Sequence, residues 1–137
     1  MLPASIRALI LDEQTRQGNR FVEQYDIEAY MAKLGERAEI LSDAVEGRCR
    51  GFVAFYCNDQ ATRRAFITLV LVDPRDRGLG IGRALVACVL DLAKRRGFTS
   101  CGLEVAKHNE GAHAMYRSLG FQLIENRAHK DLLEIAL

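Results

Sequence analysis

The sequence predicts an α/β (α+β) domain with a mixed, mostly antiparallel sheet, and three stretches carry that prediction. Residues 65–72 are almost continuously apolar, as in a strand buried on both faces at the centre of a sheet. Directly after them Gly78, Gly80 and Gly82 alternate and an amphipathic run begins, which reads as a tight turn feeding a helix. A second strand-like run at 100–105 follows that helix, so strand, helix and strand form a right-handed crossover with the two strands parallel.

From the N-terminus, residues 4–18 place Ile6, Leu9, Ile10 and Glu13 at roughly helical spacing and end near Gly18, with a strand as the alternative. Asp26 can cap a helix whose stripe Ile27, Tyr30, Met31 and Leu34 stops before Gly35. Two runs of strand character, 38–45 and 49–57, are separated by Glu46-Gly47-Arg48 and closed by Asn58-Asp59-Gln60, which predicts a hairpin. In the helix after the glycines, Ile81, Leu85, Cys88, Val89 and Leu92 form one stripe opposite Arg83, Asp91, Lys94 and Arg95, ending at Gly97. Asn109 can cap a short helix with the stripe Ala112, Met115, Tyr116 and Leu119, closed by Gly120. Residues 121–125 and 131–137 then alternate as a terminal hairpin around Asn126-Arg127.

A chain of 137 residues suits one domain over 1–137 that needs neither disulfide nor metal to hold it. A formal net charge of +1 gives no electrostatic case for nucleic acid or an anionic membrane as partner. Cys49, Cys57, Cys88 and Cys101 have no C-x-x-C spacing and read as reduced thiols, and His108, His113 and His129 do not pair with them at zinc-site spacings, so no metal is implied. The apolar opening, residues 2–11, is interrupted by Arg7 and resembles neither a signal peptide nor a membrane span, so a cytoplasmic location is expected.

Alternate glycines let backbone approach a ligand closely, and the helix behind them presents unpaired N–H groups at its positive end, which together make an anion site. On the glycines alone, a turn with no ligand is an equal reading. The spacing G-x-G-x-G is not the G-x-G-x-x-G of a dinucleotide fold, and Arg83-Ala84 after Gly82 is not the Lys-Ser/Thr of a P-loop. Arg77-Gly78-Leu79-Gly80-Ile81-Gly82, led in by Val72-Asp73-Pro74, instead resembles the coenzyme A pyrophosphate loop of the GNAT superfamily of N-acetyltransferases. The stretch from Leu103-Glu104-Val105 through Asn109, Ala112 and Tyr116 to Gly120-Phe121 is similar to that family's other signature. The resemblance covers roughly residues 51–121.

The resemblance implies the GNAT fold, with its parallel strand pair splayed around the coenzyme, and acetyl transfer from acetyl-CoA to an amine. It implies that backbone N–H groups from Arg77 to Arg83 (Arg77, Gly78, Leu79, Gly80, Ile81, Gly82 and Arg83) hold the pyrophosphate. Backbone groups of Leu71 and Val72 would meet the pantetheine arm and the acetyl carbonyl, and Asn109 would hydrogen-bond the same arm. Asn109 also reads as a plain helix cap. Tyr116 is the candidate general acid for the departing thiolate, set against a core aromatic on an amphipathic helix. Glu104 is the candidate base for the incoming ammonium, set against a strand glutamate that faces solvent or an arginine. No cysteine sits in a Cys-His nucleophile pattern, so direct transfer in a ternary complex is expected, and Cys101 is the first suspect for a covalent route.

The family usually opens with a strand and two helices that shape the acceptor pocket, whereas this chain reads as having a shortened N-terminal region, with residues 1–37 before its first clear strand and no convincing opening strand. The acceptor side is therefore open, or completed by a second copy in a homodimer. The acceptor is read as a small amine or amino-sugar, with a protein N-terminus of the ribosomal-protein-alanine kind as the alternative. A non-catalytic acyl-CoA-binding domain and a phosphate module for another nucleotide are the rivals from other classes. Glu104 and Tyr116 speak against the first, and the 109–121 segment against the second.

Overall fold

The computed structural model describes residues 1–22 and 26–137. Its strands are β1 (Glu39–Val45), β2 (Arg48–Tyr56), β3 (Arg64–Val72), β4 (Ser100–Ala106), β5 (Gln122–Asn126) and β6 (Lys130–Ala136). They form one sheet in the order β1-β2-β3-β4-β6-β5, antiparallel throughout except for the β3/β4 pair. Helices α1 (Ala4–Arg16) and α2 (Ile27–Arg37) cover one face, and α3 (Ile81–Arg95) and α4 (Glu110–Leu119) cover the other. This is the mixed α/β architecture that the crossover predicts, with α3 joining the two parallel strands.

Side chains alternate across a strand, so β2 and β3 feed two cores at once. Phe52, Ala54 and Leu71 pack with Ile6, Ile10, Met31 and Leu34 of α1 and α2. Val53, Phe55 and Ile67 pack with Leu85, Val86, Val89 and Tyr116 of α3 and α4. Burial on both faces is why residues 51–57 and 65–72 read as almost continuous apolar runs. Residues 4–16 are helical, and Glu13 is buried beside Ile6, Leu9 and Ile10.

Two expectations are corrected. The second helix does not stop before Gly35 but runs to Arg37, because Gly35 serves close approach and not termination: a Cβ there would lie 2.9 Å from the Leu2 backbone nitrogen. The buried face of α3 is Ile81, Leu85, Val86, Val89 and Ala93, while Cys88 is exposed. The apolar stripe of that helix is broad, and the sheet meets it about a quarter-turn away from Cys88.

The feature that positions the site is an opening in the sheet. β3 and β4 pair from Arg64↔Ser100 to Ile67↔Leu103 and no further, although β3 runs on to Val72 and β4 to Ala106. The β2/β3 register shifts at the same level: Ala54 faces Leu69 and Phe55 faces Ile67, which leaves Thr68 as an extra residue on β3. An extra residue bends its strand, and past it the parallel pair separates. Terminal strand β6 returns beside β4, which leaves β5 outermost.

Candidate active site

At the open end of β3 the chain is pinned before it turns. The Asp73 amide donates to Arg50 O at 2.8 Å, and the Asp73 carboxylate accepts from the Arg75 amide at 3.0 Å and pairs with Arg75 Nη2 at 2.8 Å. Arg75, with Arg48 beyond it, holds that carboxyl well down, at about 2. Asp76, in the 3-10 turn Pro74–Asp76, is bonded by Arg48 at 2.7 and 3.1 Å, which holds its carboxyl below the usual range too. The loop that follows therefore starts from a fixed base.

Gly78 and Gly80 take φ of 83° and 78°, left-handed values that side chains rarely adopt. Gly80 is the N-cap of α3 and offers no side chain, and the first turn carries no acidic residue. The N–H groups of that turn are thus left for an anion in the way the motif suggests. Leu79 is exposed, Ile81 is buried beneath the helix start, and Arg83 reaches Ser118 Oγ at 3.4 Å. A Cβ built on Gly82 would stand 3.7 Å from Met115 Sδ, so α4 packs directly on the first turn of α3. That packing sets α4 against the start of α3.

Leu71 and Val72 lie past the point where β3 leaves β4, paired on one side only, with Phe52 and Gly51 of β2. Val72 O already accepts a hydrogen bond from Arg77 Nε at 3.2 Å. Asn109 is the cap that local sequence predicts: its Oδ1 accepts from the Ala112 amide at 3.1 Å, leaving its Nδ2 donors uncommitted among the described residues. Tyr116 is 7% exposed, with its ring edge-on to Phe121 at 5.7 Å, and burial pushes its phenol up to about 12. Among the described residues its hydroxyl has no hydrogen-bond partner, yet it is not a sealed buried orphan, so it keeps access to solvent.

Glu104 is the first β4 residue past the paired segment, and alternation turns it away from Leu103 and Val105, toward the face that carries α1 and α2. Its Oε2 accepts from Arg127 Nη1 at 2.9 Å, while Oε1 has no partner among the described residues. Tyr116 belongs to the α3/α4 core, so these two candidates lie on opposite faces of the sheet. Cys101 is fully buried, and burial pushes its thiol up to about 12.

Three residues escaped the sequence reading. Thr68 is the single polar residue of the run 65–72, a signal that could have marked the bend. Arg127 was read only as a turn residue, although it holds Glu104. Glu13 was counted in an apolar stripe, yet its carboxylate meets Arg77 Nη2 at 3.2 Å.

A family profile described as the acetyltransferase (GNAT) family matches residues 5–121. Over 82 residues the chain is 42% identical to an uncharacterized N-acetyltransferase of Methanocaldococcus jannaschii, covering 57% of this chain and 36% of that protein. It is 32% identical over 75 residues to the L-2,4-diaminobutyric acid acetyltransferase of Nocardia farcinica, covering 55% and 39%. Against the ribosomal protein bS18-alanine N-acetyltransferase of Escherichia coli it is 37% identical over 68 residues, covering 50% and 46%. The matched stretch thus spans less than half the length of each of these relatives. Among solved structures, the PaiA N-acetyltransferase from Thermoplasma acidophilum in complex with coenzyme A superposes with a TM-score of 0.76. That superposition covers 97% of this chain and 91% of that one at 15% identity, a likeness of fold.

Proposed function

The chain belongs to the GNAT acetyltransferase family, and on that premise we propose that it moves an acetyl group from acetyl-CoA to a primary amine by direct attack within a ternary complex. The observation that carries this reading is the opening between β3 and β4, together with the start of α3, which has no side-chain cap, and with Glu104 and Tyr116 on opposite faces of the sheet. Backbone N–H groups from Arg77 to Arg83 hold the pyrophosphate. The freed edge of β3 at Leu71 and Val72 takes the pantetheine arm, and Asn109 adds a side-chain donor to it.

The thioester carbon then lies between an acid and a base that approach from opposite sides. The acceptor arrives as an ammonium ion, and Glu104, with Glu134 on the same face, supplies the carboxylates that attract it. Glu104 Oε1, directly or through one water, takes the proton that must leave before nitrogen attacks. On the far side Tyr116 donates its proton to the sulfur as the carbon–sulfur bond breaks. A covalent acetyl-cysteine route is disfavoured, because the Cys101 thiol is buried and holds its proton. The acceptor is a small amine or amino-sugar, in line with the L-2,4-diaminobutyric acid that the Nocardia relative's name gives. The Escherichia relative's name favours the second reading, a protein N-terminus.

The test is acetyl-CoA consumption with mass spectrometry of products over amino-sugar nucleotides, polyamines, amino acids and N-terminal peptides. One amine class acetylated, with no acetylated enzyme after acetyl-CoA alone, is the expected result. Acetylated peptides with no small-molecule product would establish the second reading. A melting point raised by acetyl-CoA, which at 100 times its Kd adds about 2.7 kcal/mol, with no amine turned over, would leave a binding domain.

A further inference from the structure

Glu13 stands where the inward stripe of α1 calls for a hydrophobe, and its carboxylate is buried. Oε1 accepts from Arg16 Nη2 at 2.8 Å and from Arg77 Nη2 at 3.2 Å, and Oε2 accepts from Gln17 Nε2 at 2.7 Å. Arg16 and Gln17 belong to the end of the same helix and already satisfy the carboxylate. Arg77 does not: it comes from the first position of the glycine loop.

The same Arg77 guanidinium donates through Nε to Val72 O at 3.2 Å, at the last residue of β3. One side chain therefore spans α1, the end of β3 and the loop, while its other N–H donors stay uncommitted. Its side chain is 52% exposed against 9% for Glu13, so the carboxylate is the fixed partner and the arginine the one being held. A planar guanidinium can meet two acceptors and still present donors to a phosphate, which a lysine cannot do in a fixed geometry.

We propose that Glu13 is a positioning residue for the coenzyme: it holds the Arg77 guanidinium at the mouth of the glycine loop, ready for a diphosphate, and so couples α1 to occupancy of that loop. The proposal rests on the coenzyme reading above. Occupancy of the loop is felt at the last turn of α1, the helix on the acceptor side. Coenzyme and acceptor sites are thereby linked through one ion pair.

The experiment is calorimetric titration of coenzyme A into the full chain, Glu13→Gln, Arg77→Gln and the double variant, with amide exchange followed at residues 13–17. Each single change is expected to weaken coenzyme binding about tenfold, and the double variant no more than Arg77→Gln alone, because the two act as one unit. Coenzyme should slow exchange at 13–17 in the wild type and leave it unchanged in Arg77→Gln, a result that decides the matter even if Glu13→Gln fails to fold. Wild-type affinity in Glu13→Gln, losses that multiply in the double variant, or an α1 end indifferent to coenzyme would overturn the proposal and leave the coenzyme reading standing. No binding of coenzyme A by the wild type would overturn both.

Discussion

Gly80 and Gly82 show how two glycines of one motif answer to different physics. Gly80 holds a left-handed φ of 78°, so any side chain there is strained before a ligand is considered. Gly80→Glu adds a negative charge to the proposed anion site and should abolish the rise in melting point with acetyl-CoA; an unchanged rise would place the coenzyme elsewhere. Gly82 lies inside α3, where a Cβ would meet only ordinary contacts at 3.6 to 3.8 Å. Gly82→Ala should therefore stabilise the fold by about 0.5–1 kcal/mol and keep coenzyme affinity, as thermal and calorimetric titration would register. For Tyr116→Phe we expect turnover to fall about a hundredfold with coenzyme affinity nearly intact, since general acids act mainly in the transition state; equal kcat in the two proteins would remove the phenol from the mechanism. The glycines at a helix start and Tyr116 on the inward face of α4 were legible from local spacing, while the roles proposed for them come from family resemblance. Arg127 beside Glu104 was not legible, since that pair joins positions 23 apart and depends on how a hairpin folds back.

Elements were read more securely than their ends and faces. The order of helices and strands, the parallel pair and the caps at Asp26, Asn109 and Gly120 all follow from periodicity and local hydrogen bonding. Gly35 misled because a glycine after an apolar stripe signals a helix end as readily as it signals tight packing, and only the tertiary contact with Leu2 tells which. Cys88 misled because a broad stripe does not reveal which edge of it meets the sheet. The opening beyond Ile67 was expected from family resemblance and not from spacing; Thr68 was its one local mark. Gly35→Ala tests the packing argument directly. Alanine favours helix, yet a Cβ 2.9 Å from backbone must displace it, so we expect a net loss of about 1 kcal/mol in a denaturation curve, opposite in sign to the same change at Gly82. A stabilised Gly35→Ala would mean that the N-terminal residues yield freely.

At the scale of the molecule, pH acts on stability from both ends. Asp73 is held at about 2 by Arg75, and hydrogen bonds from Arg48 and Arg96 lower Asp76 and Glu39. For Glu13, burial pushes upward, but Gln17, Arg16 and Arg77 together leave the carboxyl below its ordinary value. Carboxyls lowered in the folded state contribute stability that is present above about pH 4 and lost as pH falls toward 2. Tyr30 and Tyr116 are raised to about 12 by burial, with Tyr56 adding to the first, and burial raises Cys101 to about 12. Their contribution is complete below the ordinary thiol and phenol values near 8.5 and 10 and is lost as pH rises toward 12. Denaturation midpoints should thus form a plateau between roughly pH 5 and 8 and fall on both sides; a midpoint still rising at pH 10 would contradict the burial of these groups.

The brevity of the parallel seam also bears on how the chain acquires its shape. β1, β2 and β3 are consecutive antiparallel neighbours, and β4, β6 and β5 form a second antiparallel set from the last part of the chain. Between the two sets the strand pairing runs only from Arg64↔Ser100 to Ile67↔Leu103, and α3, which lies on β1, β2 and β3, adds its packing against α4. Contacts within each set are mostly close in sequence, whereas the seam closes a long loop, and loop closure is the slow entropic step. Each half can thus assemble early and the seam last, which makes the short parallel seam the line along which the native protein is expected to come apart first.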